Sequence, residues 1–122
     1  MALDRDTLLR GDEAQRQLPR TFVRVESGFY EGLEWPLDRA STVIGRGRTA
    51  DLVLSEVTIS RAHALLGFKG DQPFVQDLGS TNGTLLNGTH EQQALLRDGD
   101  ELRMGRLVLR ILVRQTEKGD VH

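Results

Sequence analysis

The chain has 122 residues, which is the size of one domain, and its formal charge of −2 without a basic stripe argues against a nucleic-acid-binding module. It contains no cysteine, which excludes disulfides, thiolate metal sites and a cysteine nucleophile. No apolar run has the length of a membrane span, and the N-terminus lacks the apolar stretch of a secretory signal. We therefore expect a cytoplasmic protein with no membrane or nucleic-acid partner.

Three segments are predicted along the chain. Residues 1–19 carry interspersed acidic and basic side chains and end at Pro19, so they are expected to form a flexible or partly helical N-terminal arm. A change of hydrophobic period then predicts a domain over residues 20–114. Residues 115–122 are expected to form a C-terminal tail.

The domain is predicted to consist of β-strands. The runs TFVRVE and LEWPL both alternate with a period of two and predict a hairpin, in which Pro36 places the second strand at an edge or a bulge. Turn residues separate the runs that follow, which are TVIG, DLVL, AHALLGF, PFVQDL, GTLLN, ELRMG and LVLRILV. About ten short strands with such turns predict an all-β sandwich or barrel.

Polar loops are where function is expected, because a sandwich gathers its loops at two ends of a rigid frame. The first such loop is GRGRTAD, in which Arg46 and Arg48 flank Gly47 directly after a predicted strand. A guanidinium offers a planar fork of donors that suits phosphate or carboxylate. Two solvated surface arginines are the simpler interpretation of this loop on its own.

The second loop is VTISRAH, which brings Ser60, Arg61 and His63 together in sequence. A catalytic Ser–His pair would need a third residue to orient the histidine and an oxyanion hole. The odd spacing also places the serine and the histidine on opposite faces if both are extended. We therefore expect His63 to point inward and to bond the loop backbone.

The third loop is LGSTNGT, in which Asn82–Gly83 is a strong turn signal and Ser80 and Thr81 can bond the backbone locally. Taken together, the three loops offer guanidiniums, hydroxyls and an amide without a carboxylate pair or a metal cluster. The HEQQA run at His90 also lacks the second histidine of HExxH. These groups bind an oxyanion such as phosphate and do not transform it.

Five motifs occur in order at intervals that match one family: GR at 45–46, DLVL at 51–54, SRAH at 60–63, DLGSTNGTLLNG at 77–88 and LRDGDELRMG at 96–105. Over roughly residues 20–114 the sequence resembles the forkhead-associated (FHA) domain, a phosphothreonine-peptide-binding family. The resemblance implies an all-β, FHA-type sandwich of about eleven strands in two sheets, preceded by the short arm, with binding loops at one end.

The resemblance also implies which residues bind a phosphopeptide. The phosphate-binding arginine and serine of the family fall on Arg46 and Ser60, and Arg61 occupies a position that often adds a contact. The threonine hydroxyl that supports the site falls on Thr81. The asparagine amide that bonds the peptide backbone falls on Asn82.

Other matching positions are expected to shape the site or to select the ligand. Gly45, His63 and Gly83 match family residues that shape the loops without touching ligand. Thr58 and the loop after Asn87 are candidates for contacting the residue three positions after the phosphothreonine. The resemblance implies no cofactor and no metal.

The resulting hypothesis is a non-enzymatic signalling module that recognises phosphothreonine in a partner protein of a bacterial-type Ser/Thr kinase pathway. One alternative is a phosphate-independent interaction or oligomerisation surface on the same fold. Another is a hydrolase that uses Ser60 and His63, which the missing third residue disfavours. A further hypothesis makes Thr7 in the arm a kinase target that folds back as an internal ligand, against the simpler alternative of an inert linker.

Overall fold

The structure, a computed structural model, describes residues 20–114 and confirms an all-β sandwich of eleven strands in two sheets. The predicted arm, the tail and Thr7 lie outside the described residues. Within the described range there is no helix long and apolar enough to cross a membrane. The strands are β1 (Arg20–Val25), β2 (Glu34–Pro36), β3 (Ser41–Gly45), β4 (Leu52–Val53), β5 (Ala64–Lys69), β6 (Gln72–Asp77), β7 (Thr84–Leu86), β8 (Thr89–His90), β9 (Gln93–Leu95), β10 (Glu101–Met104) and β11 (Leu107–Arg114).

One sheet has six strands in the order β2-β1-β11-β10-β7-β8. The predicted hairpin is confirmed: β1 pairs with β2 in antiparallel register, with Val23 opposite Trp35. The strand that contains Pro36 lies at the sheet edge, as its missing N–H requires. The first and last strands lie side by side in this sheet, with Arg20 opposite Arg114.

The other sheet has five strands in the order β4-β3-β5-β6-β9. Its pairs are antiparallel except β3 with β4, which run parallel and place Ile44 opposite Leu52 and Gly45 opposite Val53. A parallel neighbour forces the chain to cross from the end of β3 to the start of β4 through the segment that carries Arg46. Residues 46–51 therefore form a compact crossover loop at one end of the sandwich.

The core lies between the two sheets and explains the period of two in the longer strands. In β1, and in β11 as far as Ile111, every second side chain is buried, while the residues between them are only partly buried. Each large apolar side chain removed from water contributes roughly 1.5–3 kcal/mol, so the shared core holds the sheets in a fixed relation. The buried apolar side chains of the core are Val23, Val25, Leu37, Ile44, Leu52, Leu54, Ile59, Ala64, Leu66, Val75, Leu96, Leu102, Met104, Leu107, Leu109 and Ile111.

The structure differs from the sequence prediction in detail at two places. The fifth strand begins at Ala64, so Ser60 and His63 both precede it and neither lies in a strand. The argument that an odd spacing separates these two residues onto opposite faces therefore does not apply. The short strands β8 and β9 were also not predicted from the sequence pattern.

Candidate functional site

Two loops cross each other where β3 ends. The Arg46 N–H donates to the Ser60 carbonyl oxygen at 3.0 Å, and the Gly47 N–H donates to the Arg61 carbonyl oxygen at 3.0 Å. The close approach depends on Gly45, because a Cβ added there would overlap the Arg61 carbonyl oxygen. A glycine at this position lets the loop over residues 46–51 lie directly on the loop over residues 54–63.

The Arg46 side chain is held at one edge and open at the other. Its Nε donates to the Ile59 carbonyl oxygen at 2.8 Å. Its two terminal nitrogens have no hydrogen-bond or ion-pair partner among residues 20–114, and the residue is exposed. Because the guanidinium is planar, fixing Nε also fixes the direction of the remaining N–H groups, which are suited to bidentate contact with an oxyanion.

The Ser60 hydroxyl is oriented by the third loop. Its Oγ accepts a hydrogen bond from the Thr81 N–H at 3.1 Å. A hydroxyl that accepts from a backbone amide keeps its own hydrogen for donation. Ser60 is therefore available as a donor at the surface where Arg46 is exposed.

His63 connects the loop over residues 54–63 to the loop over residues 78–83 from the buried side. It is fully buried; its Nδ1 accepts from the Ser60 N–H at 3.1 Å, and its Nε2 lies 2.8 Å from the Gly83 carbonyl oxygen. Because Nδ1 is an acceptor here, the hydrogen is on Nε2, which donates to Gly83. Both ring nitrogens are thus used by backbone groups, and neither is free to take a proton from the Ser60 hydroxyl. This geometry contradicts a Ser60–His63 catalytic pair.

Asp77 is the buried carboxylate that holds the loop over residues 78–83. Its Oδ2 accepts from the N–H groups of Gly79 and Ser80, each at 3.0 Å. Its Oδ1 accepts from the hydroxyls of Ser80 at 2.6 Å and Thr84 at 2.7 Å. Burial raises the pKa of Asp77, but the hydrogen bonds from Ser80 and Thr84 outweigh burial and leave the pKa below its ordinary value.

Sequence reasoning missed this role of Asp77. The available signal is an aspartate at the inward-facing end of the alternating run PFVQD, followed within two residues by a glycine. An aspartate there accepts N–H groups from the turn that follows it, as in an Asx turn. The same loop is closed by Ser80, whose Oγ accepts from the Gly83 N–H at 2.9 Å.

The tip of this loop presents Thr81 and Asn82, which are both exposed. The Asn82 Nδ2 donates to the Thr58 carbonyl oxygen at 2.7 Å. The amide is thereby held across the gap between two loops, and its Oδ1 remains as an acceptor. An amide fixed in this way can bond the backbone of an extended peptide.

Thr58 is held by its neighbours. Its Oγ1 accepts from the Arg106 N–H at 2.8 Å and lies 2.7 Å from Glu56 Oε2, to which it donates. Its N–H also donates to that carboxylate, and these bonds from Thr58 lower the pKa of Glu56. The structure thus places Thr58 beside Asn82, while its contact with a ligand residue remains a prediction. Sequence reasoning did not identify Glu56 or Arg106 at this end.

The structure therefore brings the sequence-predicted groups together at one end of the sandwich. We call the surface formed by Arg46, Ser60, Arg61, Thr81 and Asn82 the anion site. The Arg61 guanidinium is exposed and forms no ion pair within residues 20–114. The described part of the chain holds no group of three or more His, Asp or Glu residues that could hold a metal ion. What the anion site offers is hydrogen-bond donors and positive charge, which suit a tetrahedral oxyanion.

A family model of the FHA domain matches residues 42–105, which includes every residue of the anion site. The chain belongs to the FHA domain family. Among curated relatives, the FHA domain is 39% identical over 85 residues to an oxoglutarate dehydrogenase inhibitor of Corynebacterium jeikeium, covering 70% of this chain and 59% of the relative. It is 38% identical over 85 residues to the glycogen accumulation regulator GarA of Mycobacterium tuberculosis, covering 70% of this chain and 52% of GarA. The chain thus spans between half and three-fifths of the length of these relatives.

Solved structures give the same family. One, from an analysis of phosphothreonine-dependent FHA domain interactions, superposes with a TM-score of 0.73 at 30% identity and covers 78% of this chain and 97% of that one. The FHA domain of FhaA, solved in complex with the intracellular domain of Rv3910, superposes with a TM-score of 0.69 at 32% identity and covers 75% and 98% of the two chains. The sandwich observed here is therefore the FHA fold.

Proposed function

We propose that this FHA domain is a docking module that binds a phosphothreonine-containing segment of a partner protein at the anion site. The observation that carries the proposal is the fixed pairing of Arg46 with Ser60. The Arg46 backbone and side chain are both bonded to the loop that presents the serine hydroxyl, at 3.0 Å to Ser60 and 2.8 Å to Ile59. Donors held in place before binding lose little freedom when a phosphate arrives.

The proposed roles follow from the groups left open. The terminal nitrogens of Arg46 and the hydroxyl of Ser60 bind phosphate oxygens, and Arg61 adds positive charge at the rim. Thr81 supports the serine through its N–H, and Asn82 binds the peptide backbone. At about 3 kcal/mol each, the upper end of the usual range, three or four charged hydrogen bonds contribute about 9–12 kcal/mol. The cost of ordering the peptide reduces this to about 7–9 kcal/mol, which corresponds to a dissociation constant near micromolar.

The partner class follows from the ligand. Phosphothreonine is made by Ser/Thr kinases, so we propose that the partner is a kinase substrate or a kinase itself, and that the module acts in the cytoplasm where such kinases work. Two of the curated relatives are named as an inhibitor and a regulator, which supports a regulatory role without catalysis for this chain. Gly45, His63 and Gly83 shape the loops in this proposal and do not contact the phosphate.

The test is fluorescence anisotropy with a library of phosphothreonine peptides and their unphosphorylated counterparts. Arg46→Ala removes two charged contacts and should weaken binding about 100-fold, which corresponds to about 3 kcal/mol. Arg48→Ala is the matched control, because Arg48 is an exposed arginine of the same loop. It should change the affinity less than about threefold. Equal binding of unphosphorylated peptides, or full affinity in Arg46→Ala, would refute the proposal.

A further inference from the structure

Two loops beside the anion site carry unusually exposed apolar side chains. Phe29 is 92% exposed and Val57 is 80% exposed, the highest values for large apolar residues within the described range. We call Phe29 and Val57 the apolar pair. A single exposed apolar residue is ordinary on a protein surface, but two on neighbouring loops next to a binding site are a candidate contact surface.

The loop that carries Phe29 is held rigidly. The Phe29 ring packs edge-on against Tyr30 with ring centroids 5.1 Å apart and an interplanar angle of 87°. The Tyr30 hydroxyl accepts a hydrogen bond from the Ser55 N–H at 3.2 Å. Because Ser55 lies in the loop over residues 54–63, which also carries Val57, this bond joins the two loops.

The same loop is anchored at its base. The Gly32 N–H donates to the Val25 carbonyl oxygen at 2.8 Å, and the Ser27 Oγ accepts from the Val108 N–H at 3.0 Å. An aromatic side chain on such a support loses little conformational freedom when a ligand covers it. These bonds hold both ends of the loop that presents Phe29.

The apolar pair is continuous with the anion site. Val57 directly precedes Thr58, whose carbonyl oxygen accepts from the Asn82 amide at 2.7 Å. Val57 is also three residues before Ser60, so their Cα atoms are at most about 11 Å apart. Phe29 is linked to this loop through its neighbour Tyr30, whose hydroxyl contacts Ser55. At about 3.3 Å per residue, an extended peptide that leaves the anion site on this side passes Val57 within about four residues and spans about 20 Å in six.

We propose that the apolar pair binds a large apolar side chain of the same phosphorylated segment, located four to six residues from the phosphothreonine. This inference rests on the proposed phosphothreonine function and adds a second specificity element to it. The polar groups between the pair and the anion site already bond one another, since Glu56 accepts from Thr58. At the apolar pair itself, burial of apolar surface selects leucine or phenylalanine over glutamine.

The test compares phosphothreonine peptides that carry Leu or Gln at each position from four to six on either side. For the wild-type chain, one Leu position should bind about tenfold more tightly than its Gln counterpart. The double variant Phe29→Ser/Val57→Thr should reduce that ratio to less than twofold, and it should fold normally because both side chains are exposed. Leu95→Ser is the matched control, because Leu95 is 56% exposed but lies on β9, and it should leave the ratio unchanged.

Each other outcome overturns the inference in a distinguishable way. Equal binding of all Leu and Gln peptides by the wild-type chain, or an unchanged ratio in the double variant, refutes the apolar contact while leaving phosphothreonine binding in place. A wild-type dimer in light scattering that the double variant abolishes, with no change in the peptide ratio, identifies the pair as a self-association surface. Binding that does not require the phosphate or Arg46 removes the proposed function, and the inference falls with it.

Discussion

Replacing the buried Asp77 by asparagine should destabilise this FHA domain more than any comparable surface change. The carboxylate accepts four hydrogen bonds, two from the N–H groups of Gly79 and Ser80 and two from the hydroxyls of Ser80 and Thr84. The one acceptor oxygen of asparagine can keep the two backbone N–H groups, and its NH₂ group can donate to the hydroxyl oxygens of Ser80 and Thr84, which also act as acceptors. All four bonds then lose the charge of the carboxylate, and the two hydroxyls must turn their own hydrogens elsewhere.

The expected magnitude follows from this count. Removing the charge weakens each of the four bonds by about 0.5–1 kcal/mol. The sum is about 2–4 kcal/mol, which is a large share of the roughly 5–15 kcal/mol that stabilises an ordinary domain. The affinity for phosphothreonine peptides should fall as well, because the loop that Asp77 holds carries Thr81 and Asn82.

Urea unfolding of the wild type, Asp77→Asn and Asp71→Asn measures this difference at pH 7. Asp71 is an exposed aspartate in the turn between β5 and β6, so its variant should remain within about 0.5 kcal/mol of the wild type. The pKa of Asp77 is lowered in the folded chain, so the unfolded chain binds more protons and stability rises with pH. The difference in unfolding free energy between wild type and Asp77→Asn should be complete above about pH 5 and should shrink as the pH falls below the ordinary aspartate pKa of about 4. A difference below about 1 kcal/mol at pH 7, or one that does not shrink in acid, would refute this account.

Two further predictions concern a close backbone contact and a surface ion pair. Gly45→Ala should lower the free energy of unfolding in urea by about 2–3 kcal/mol, because the added methyl group overlaps the Arg61 carbonyl oxygen. Gly28 has open space around it but a φ of +78°, so Gly28→Ala should cost only about 1 kcal/mol. Equal losses in the two variants would contradict this reasoning. Glu26→Gln should cost about 0.5–1 kcal/mol, because Glu26 accepts from Arg110 Nε at 3.1 Å and Nη2 at 2.9 Å. The Arg110 hydrogen bonds lower the pKa of Glu26. The difference in unfolding free energy between wild type and Glu26→Gln should therefore be present above about pH 5 and should vanish as the pH falls below about 4. The difference should also decrease in high salt, and a salt-independent loss would exclude the ion pair as its cause.

The longer strands could be predicted because their alternating burial is visible in the sequence as a period of two. In β1 and in most of β11, the alternation of buried and partly buried side chains shows that one face of the strand packs on the core. The strands β8 and β9 have no such buried face, since their residues are exposed or only partly buried at the sheet edges. Their pairing is set by the backbones of β7 and β6, and a sequence pattern does not record a neighbour's free N–H and C=O groups.

The site was predictable as a set of residue types but not as a geometry. The ordered motifs pointed to Arg46, Ser60 and Asn82, because each stands in a run that matches the family. The inward position of His63 also agrees with the sequence prediction, although the argument from strand spacing did not hold. Asp77 was missed because its function depends on how the next six residues fold back onto it, which is a tertiary property.

The antiparallel pairing of the first and last strands has a consequence for how the domain is tethered. Arg20 and Arg114 are opposite each other in the register, so the chain enters and leaves the sandwich at adjacent points. The other ends of the same two strands lead to the loop of Phe29 and to Arg106, on the side of the anion site. The two ends of the described chain thus lie at one pole of the sandwich, and the anion site lies at the opposite pole. Such an arrangement is compatible with insertion into a longer chain, because both connections begin at the pole away from the anion site.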